Sequence, residues 1–190
     1  MELYDAIMTR RSVRKFTDYC VTDEEINKIL ESAQWAPSWA NTQCWEFIIV
    51  RDKDIKMKLA GILSETNPAR KCTESASVVI AICGKSDLPG FKEGSKTTRF
   101  DSWFMFDLGL AVQNMQLTAH SLGLGSVVAG ALDHKRGADI LEVKSPYEFV
   151  ALLPVGKPVE FKNTGPKRRE ISEFTHKDKF GNRIPVLTKI

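Results

Sequence analysis

The chain has 190 residues, 43% of them hydrophobic and 27% charged, and a formal net charge of +3. That length fits one domain able to bury roughly 70% of its unfolded surface, with ordinary globular composition. So small a basic excess excludes bulk nucleic-acid affinity as a consequence of charge alone, so any anion must be held locally.

The N-terminus lacks the charged-then-apolar pattern of a signal peptide, and no apolar run approaches about 18 residues. The expected compartment is the cytoplasm, with no membrane partner. Cys20, Cys44, Cys72 and Cys83 are widely spaced and form no C-x-x-C, and His120, His134 and His176 are scattered. No metal site and no disulfide framework is expected.

In chain order, Leu3 and Ile7 stand one turn apart and predict a short helix that ends at a basic cluster, "RRSVRKF" (10–16). A second helix follows. Thr22 and Glu25 form a capping box, Ile26, Ile29, Leu30 and Ala33 make one apolar face, and Pro37 stops it. "WEFIIV" (45–50) predicts a buried strand, and Ile55, Leu59 and Ile62 repeat the helical spacing. "SVVIAIC" (77–83) predicts a central strand.

Residues 85–99 carry Gly, Lys and Pro89 and read as a loop or lid. The longest helix is expected within 100–123, apolar on most faces and so buried nearly all round, with Asp101 as its cap and Gly123 as its left-handed terminator. "SVVAGA" (126–131) reads as a strand or strand end, a helix is expected near 138–143, and "YEFVALLPVG" (147–156) predicts a further strand. Residues 162–190 are polar with isolated apolar anchors (Ile171, Phe174, Phe180, Ile184, Val186), an arm that wraps its own domain or reaches a partner chain. One α+β domain over 1–190 is the expected organisation.

Three segments carry candidate chemistry. "RRSVRKF" holds four cations and no acid. Alone it reads as a solvated charge run. Its guanidinium forks and Ser12 also suit a phosphate, the more so if a second cluster such as "GPKRRE" (165–170) meets it. A nucleic-acid reading wants more interleaved aromatics. "PSWANTQCW" (37–45) places amides, suited to the edge of a heteroaromatic ring, where a simple turn needs fewer polar groups. The glycines of "GLGSVVAG" (123–130) do not match a nucleotide loop, and Gly130 is expected to let the backbone approach a ligand or neighbouring chain closely.

The order of "RRSVRKF", "APSWANTQCWEFIIV", "DLGLAVQNMQLTAHSLGLGS", "LLPVGKP" and "PKRREISEF" resembles the nitroreductase family of FMN-dependent oxidoreductases along nearly the whole chain. The resemblance implies an α+β fold, an α-β-α sandwich with a central, mainly antiparallel sheet. It also implies an interlocked homodimer with FMN at the interface.

Matched by position, Arg10, Arg11, Ser12 and Arg14 fall on the family's phosphate and ribityl signature. Pro37, Ser38 and Trp39 fall on the segment that covers the flavin of the other subunit, with Asn41 and Gln43 on its N-x-Q. Val128, Gly130 and Ala131 fall on the strand end along the ring. Arg168 falls on the late phosphate arginine, with Lys167 and Arg169 as alternatives. Cys44 stands where the family usually has Pro, and Glu170-Ile171 replace Pro-Leu.

The implied activity is ping-pong hydride transfer from NADH or NADPH through flavin to a planar nitroaromatic, quinone or related acceptor, with no catalytic side chain and no metal. Reductive dehalogenation, enone reduction and a non-enzymatic flavin sensor are the alternatives.

Overall fold

A computed structural model describes residues 1–161 and 164–184. Helix α1 (Leu3–Thr9) leads into the basic segment, and α2 (Asp23–Gln34) starts at the expected capping box, with Thr22 and Glu25 each bonding the other's backbone. Strand β1 (Trp45–Val50), helices α3 (Lys53–Ala60) and α4 (Arg70–Ser75), and strand β2 (Val78–Lys85) follow. A small hairpin, β3 (Phe91–Lys92) and β4 (Ser95–Lys96), occupies the stretch expected as a loop. The long helix α5 (Phe104–Ser121), β5 (Gly125–Ser126), α6 (His134–Leu141) and β6 (Tyr147–Gly156) complete the order.

The main sheet runs β1-β2-β6-β5, every neighbour antiparallel. Strand β2 alternates between two cores. Val78, Ile80 and Ile82 pack toward α2 and α5, while Val79, Ala81 and Cys83 face the layer of α3, α4 and α6. The near-continuous apolar run therefore marks a strand covered on both faces. Strand β6 follows the same alternation until a bulge opposite Ile82/Cys83, which carries Phe149 to the α6 side. Gly137 of α6 accommodates that ring: a Cβ there would lie 2.3 Å from Phe149. The layers are helix, sheet, helix.

Several expectations change in detail. Strand β1 is an edge strand and only partly buried. Asp101 does not cap α5. The helix begins at Phe104 after Trp103, and Asp101 is ion-paired with Lys96 at 2.6 Å. Gly123 does terminate α5, at φ +75°, with Leu124 N donating to Ala119 O.

Helix α5 is not buried all round: Met105 and Phe106 are more than half exposed and Gly109 is open beside them. Of "SVVAGA", only Ser126 lies in β5, and Ala129 makes a single bridge to Leu152. Of the expected arm, residues 162–163 and 185–190, with Val186, lie outside the described residues. Its anchors Ile171, Phe174 and Phe180 are exposed.

Candidate functional site

The basic segment is stitched into the fold by its backbone. Val13 N donates to Ser126 O at 3.0 Å, and Thr17 N donates to Lys157 O at 2.8 Å. Two glycines make the close approach possible: a Cβ on Gly125 would stand 2.6 Å from Val13, and one on Gly156 would stand 2.7 Å from Phe16. Gly130, expected to let the backbone approach a ligand or neighbouring chain closely, has nothing of its own chain within 4 Å. Its open side faces away from the fold.

A cavity of about 700 Å³ forms around this segment, lined by Arg10, Arg11, Ser12 and Arg14 and by Thr164, Gly165, Pro166 and Arg168 from the late basic stretch. The two separated clusters therefore meet. Arg10 Nη1 is buried without a hydrogen bond among the described residues. Burial, then the charges of Arg11 and Arg168, hold the Arg10 pKa below the usual guanidinium value. Convergent arginines, one with an unmet donor, can hold an anion there even beside Glu160 of the same cavity wall, and their forked geometry suits phosphate. Lys167 and Arg169 turn elsewhere, to Glu170 at 3.9 Å and Glu173 at 3.2 Å.

The amide-rich segment is a strained turn. Ala40, Asn41 and Gln43 have φ of 45°, 57° and 46°, a left-handed conformation disfavoured for residues with a Cβ. Gln43 N donates to Ser38 Oγ at 3.0 Å, and Gln43 Nε2 donates to Asn41 Oδ1 at 3.2 Å. Beneath it, Asp107 Oδ2 accepts from Trp39 N at 3.0 Å and lies 3.9 Å from Cys44 Sγ. Burial raises the Asp107 pKa, and burial, with the Asp107 charge, pushes the Cys44 thiol up to about 11. Trp39 packs on Trp103 with ring centroids 5.2 Å apart, and Trp103 Nε1 donates to Thr98 Oγ1 at 3.0 Å, which joins this turn to the hairpin loop.

These two half-sites stand at opposite ends of α5. Trp103 and Asp107 are at its start. Near its end, His120 Nε2 donates to Thr9 Oγ1 at 2.8 Å, since Thr9 Oγ1 itself donates to Asp5 O at 2.6 Å. Burial and the charges of Arg10 and Arg11 lower the His120 pKa. The helix rises about 20 Å from Asp107 to His120, and no residue of the turn lines the cavity within one chain. Val128, Gly130 and Ala131 continue from β5 and do not line the cavity either, although Val128 is exposed.

Sequence reasoning gave Gly125 and Gly165 no role, and weighed Asp107 only as a possible partner of Asp101, not as the acceptor for the turn. The lone acid of an apolar helix was the legible signal for Asp107, but the two glycines act only through partners far along the chain.

The Nitroreductase family model matches residues 7–75 and 65–157. This chain belongs to the nitroreductase family. It is 36% identical over 167 residues to a Methanothermobacter thermautotrophicus protein provisionally named NADH dehydrogenase/NAD(P)H nitroreductase, covering 84% of this chain and 79% of that one. Similarity to iodotyrosine deiodinase 1 of Rattus norvegicus is 38% identity over 181 residues, 83% of this chain and 62% of the deiodinase. An FMN-dependent nitroreductase from Clostridium difficile R20291 superposes with a TM-score of 0.76 at 26% identity, over 93% of this chain and 99% of the other. The nitroreductase fold implied by the motif order is the fold of this family member.

Proposed function

We propose that this family member, an NAD(P)H-dependent FMN oxidoreductase, works as a homodimer and reduces small planar acceptors of the nitroaromatic or quinone class by a ping-pong cycle. The observation that carries the reading is the cavity in which Arg10, Arg11 and Arg168 converge with a buried donor unmet. A phosphate monoester meets that donor, and the cavity volume lies within the usual range of about 300–1,000 Å³ for small-molecule sites. The whole of 1–190 is read as one domain with an arm from residue 162, working in the cytoplasm without nucleic-acid or membrane partners.

FMN held there would supply the redox chemistry that links NAD(P)H to the acceptor. The protein's own residues bind and orient. Arg10, Arg11, Ser12, Arg14 and Arg168 hold the phosphate end. Pro37, Ser38 and Trp39 cover the ring of the neighbouring subunit, while Asn41 and Gln43 offer amide donors and acceptors at its edge, where charge develops. Val128, Gly130 and Ala131 lie along the ring, with Gly130 leaving room for it. No side chain is assigned a proton transfer.

A second copy is needed because the turn and the cavity stand at opposite ends of α5, with about 20 Å of helix between Asp107 and His120 in one chain. The exposed Met105, Phe106 and Gly109 at the turn end of α5 supply an apolar face for antiparallel association of α5 with its copy. Among the described residues, no helix is long and apolar enough to cross a membrane.

Purified protein is expected to be yellow and to bleach with anaerobic NAD(P)H. Colourless protein that FMN does not reconstitute would sink the proposal. The likeness to a deiodinase supports a second reading on the same scaffold, reductive dehalogenation. A panel of nitroaromatic, quinone, enone and halophenol acceptors separates the two, and bound flavin without turnover on any of them would mark a sensor.

A further inference from the structure

Asp107 is the single acid in α5, and its residue is only 2% exposed. A carboxylate is costly to bury, and this one is met by the two ends of the strained turn: Trp39 N at 3.0 Å and Cys44 Sγ at 3.9 Å. Between those points lie the three left-handed residues Ala40, Asn41 and Gln43. Such backbone persists only where its surroundings over-determine it. The bonds from Gln43 to Ser38 and Asn41 are internal to the turn and do not anchor it. Asp107 supplies the side-chain hydrogen bonds that join the turn to α5, with the Trp39 ring against Trp103 as an independent apolar contact.

We propose that Asp107 is a positioning residue for the cofactor-covering turn. By holding Trp39 and Cys44 from beneath, it sets the direction in which Asn41 and Gln43 face the flavin of the partner subunit. Cys44 contributes a thiol donor to Asp107 at the far end of the turn. The inference rests on the reading of residues 37–43 as the flavin cover.

The test compares wild type, Asp107→Ala and Asp107→Asn. It measures hydrogen exchange of the Trp39 amide without cofactor, the FMN dissociation constant, and the visible circular dichroism of flavin in saturated holoenzyme. For Asp107→Ala we expect Trp39 exchange to rise about tenfold or more, as befits loss of a charged hydrogen bond, FMN binding to weaken about tenfold, and the flavin dichroism to change. Asp107→Asn keeps an oxygen for Trp39 N–H and is expected to recover most of each signal.

A merely structural role would lower the melting temperature and leave the dichroism of folded, saturated enzyme as in wild type, and that result overturns the proposal. So does unchanged Trp39 exchange. Should Asp107→Ala not fold, Asp107→Ser is read in the same way, its hydroxyl too short to reach Trp39. Failure of the functional reading appears in wild type, as absence of FMN binding. Failure of this inference appears only in the variants.

Discussion

The backbone of Gly165 lies so close to the side chain of Arg11 that a Cβ on the glycine would stand 2.6 Å from Arg11 Nε. Segments more than 150 positions apart are thus in contact across one cavity. Arg11 has little freedom to yield, because its Nη1 donates to Met8 O and to Arg10 O, each at 2.8 Å.

Gly165→Ala is therefore expected to displace either the guanidinium or the late basic stretch. Overpacking of about 1 kcal/mol at this point would weaken FMN binding roughly fivefold. A flavin-fluorescence titration of cofactor-free protein measures it. Affinity equal to wild type would place the stretch from 164 to 168 outside the phosphate site.

Arg10→Met should move stability and binding in opposite directions. In the cofactor-free protein, Arg10 carries a buried, unbonded donor beside the charges of Arg11 and Arg168, so its removal relieves repulsion. The apo melting temperature is expected to rise, while loss of a charged hydrogen bond weakens FMN about 10- to 100-fold. Thermal melts with and without FMN check both. A variant that loses apo stability and keeps FMN would contradict the assignment.

Phe106→Asp places a charge on the exposed stripe of α5. Dissociation to monomer and loss of FMN are expected together, because in the proposed dimer the neighbour's turn completes each cavity. Sedimentation velocity with absorbance at the flavin band reads both at once. A monomer that keeps its flavin would show the site to be complete in one chain.

Three buried thiols set an alkaline limit. Burial pushes Cys44 and Cys72 up to about 11 and Cys83 to about 12, from an ordinary 9.0. Their raised folded values mean that the unfolded chain releases these protons first, so stability is fully present below about pH 9. It falls as pH rises from there toward 11–12, by up to about 1.4 kcal/mol per pH unit for each thiol. Urea denaturation under reducing conditions at pH 8 and pH 10 tests the sign. At pH 8 a thiol reagent should label exposed Cys20 quickly and the other three only on unfolding.

Much of the fold was legible because its signals are local. The Thr22–Glu25 box, the left-handed stop at Gly123, and the apolar runs of β2 and β6 depend on residues within a few positions of one another. The motif order likewise carried the family. Helix α4 was missed because its six residues form too short a window for periodicity to speak. The extent of α5 was misjudged because Asp101, a good cap by type, is drawn instead to Lys96 across the hairpin loop.

The site divides along the same line. By itself the sequence determined that cations cluster at 10–15 and again near 167–169, and that amides crowd 37–45, since residue type and spacing are written in the chain. Only the tertiary structure decided that Arg168, and neither Lys167 nor Arg169, turns into the cavity with Arg10 and Arg11. It likewise decided that Gly125 admits the basic segment, and that Asp107 lies under Trp39. Each of these is a contact between segments distant in the chain. Its existence depends on strand order, on the bulge in β6 and on the length of α5, which no local run of residues encodes.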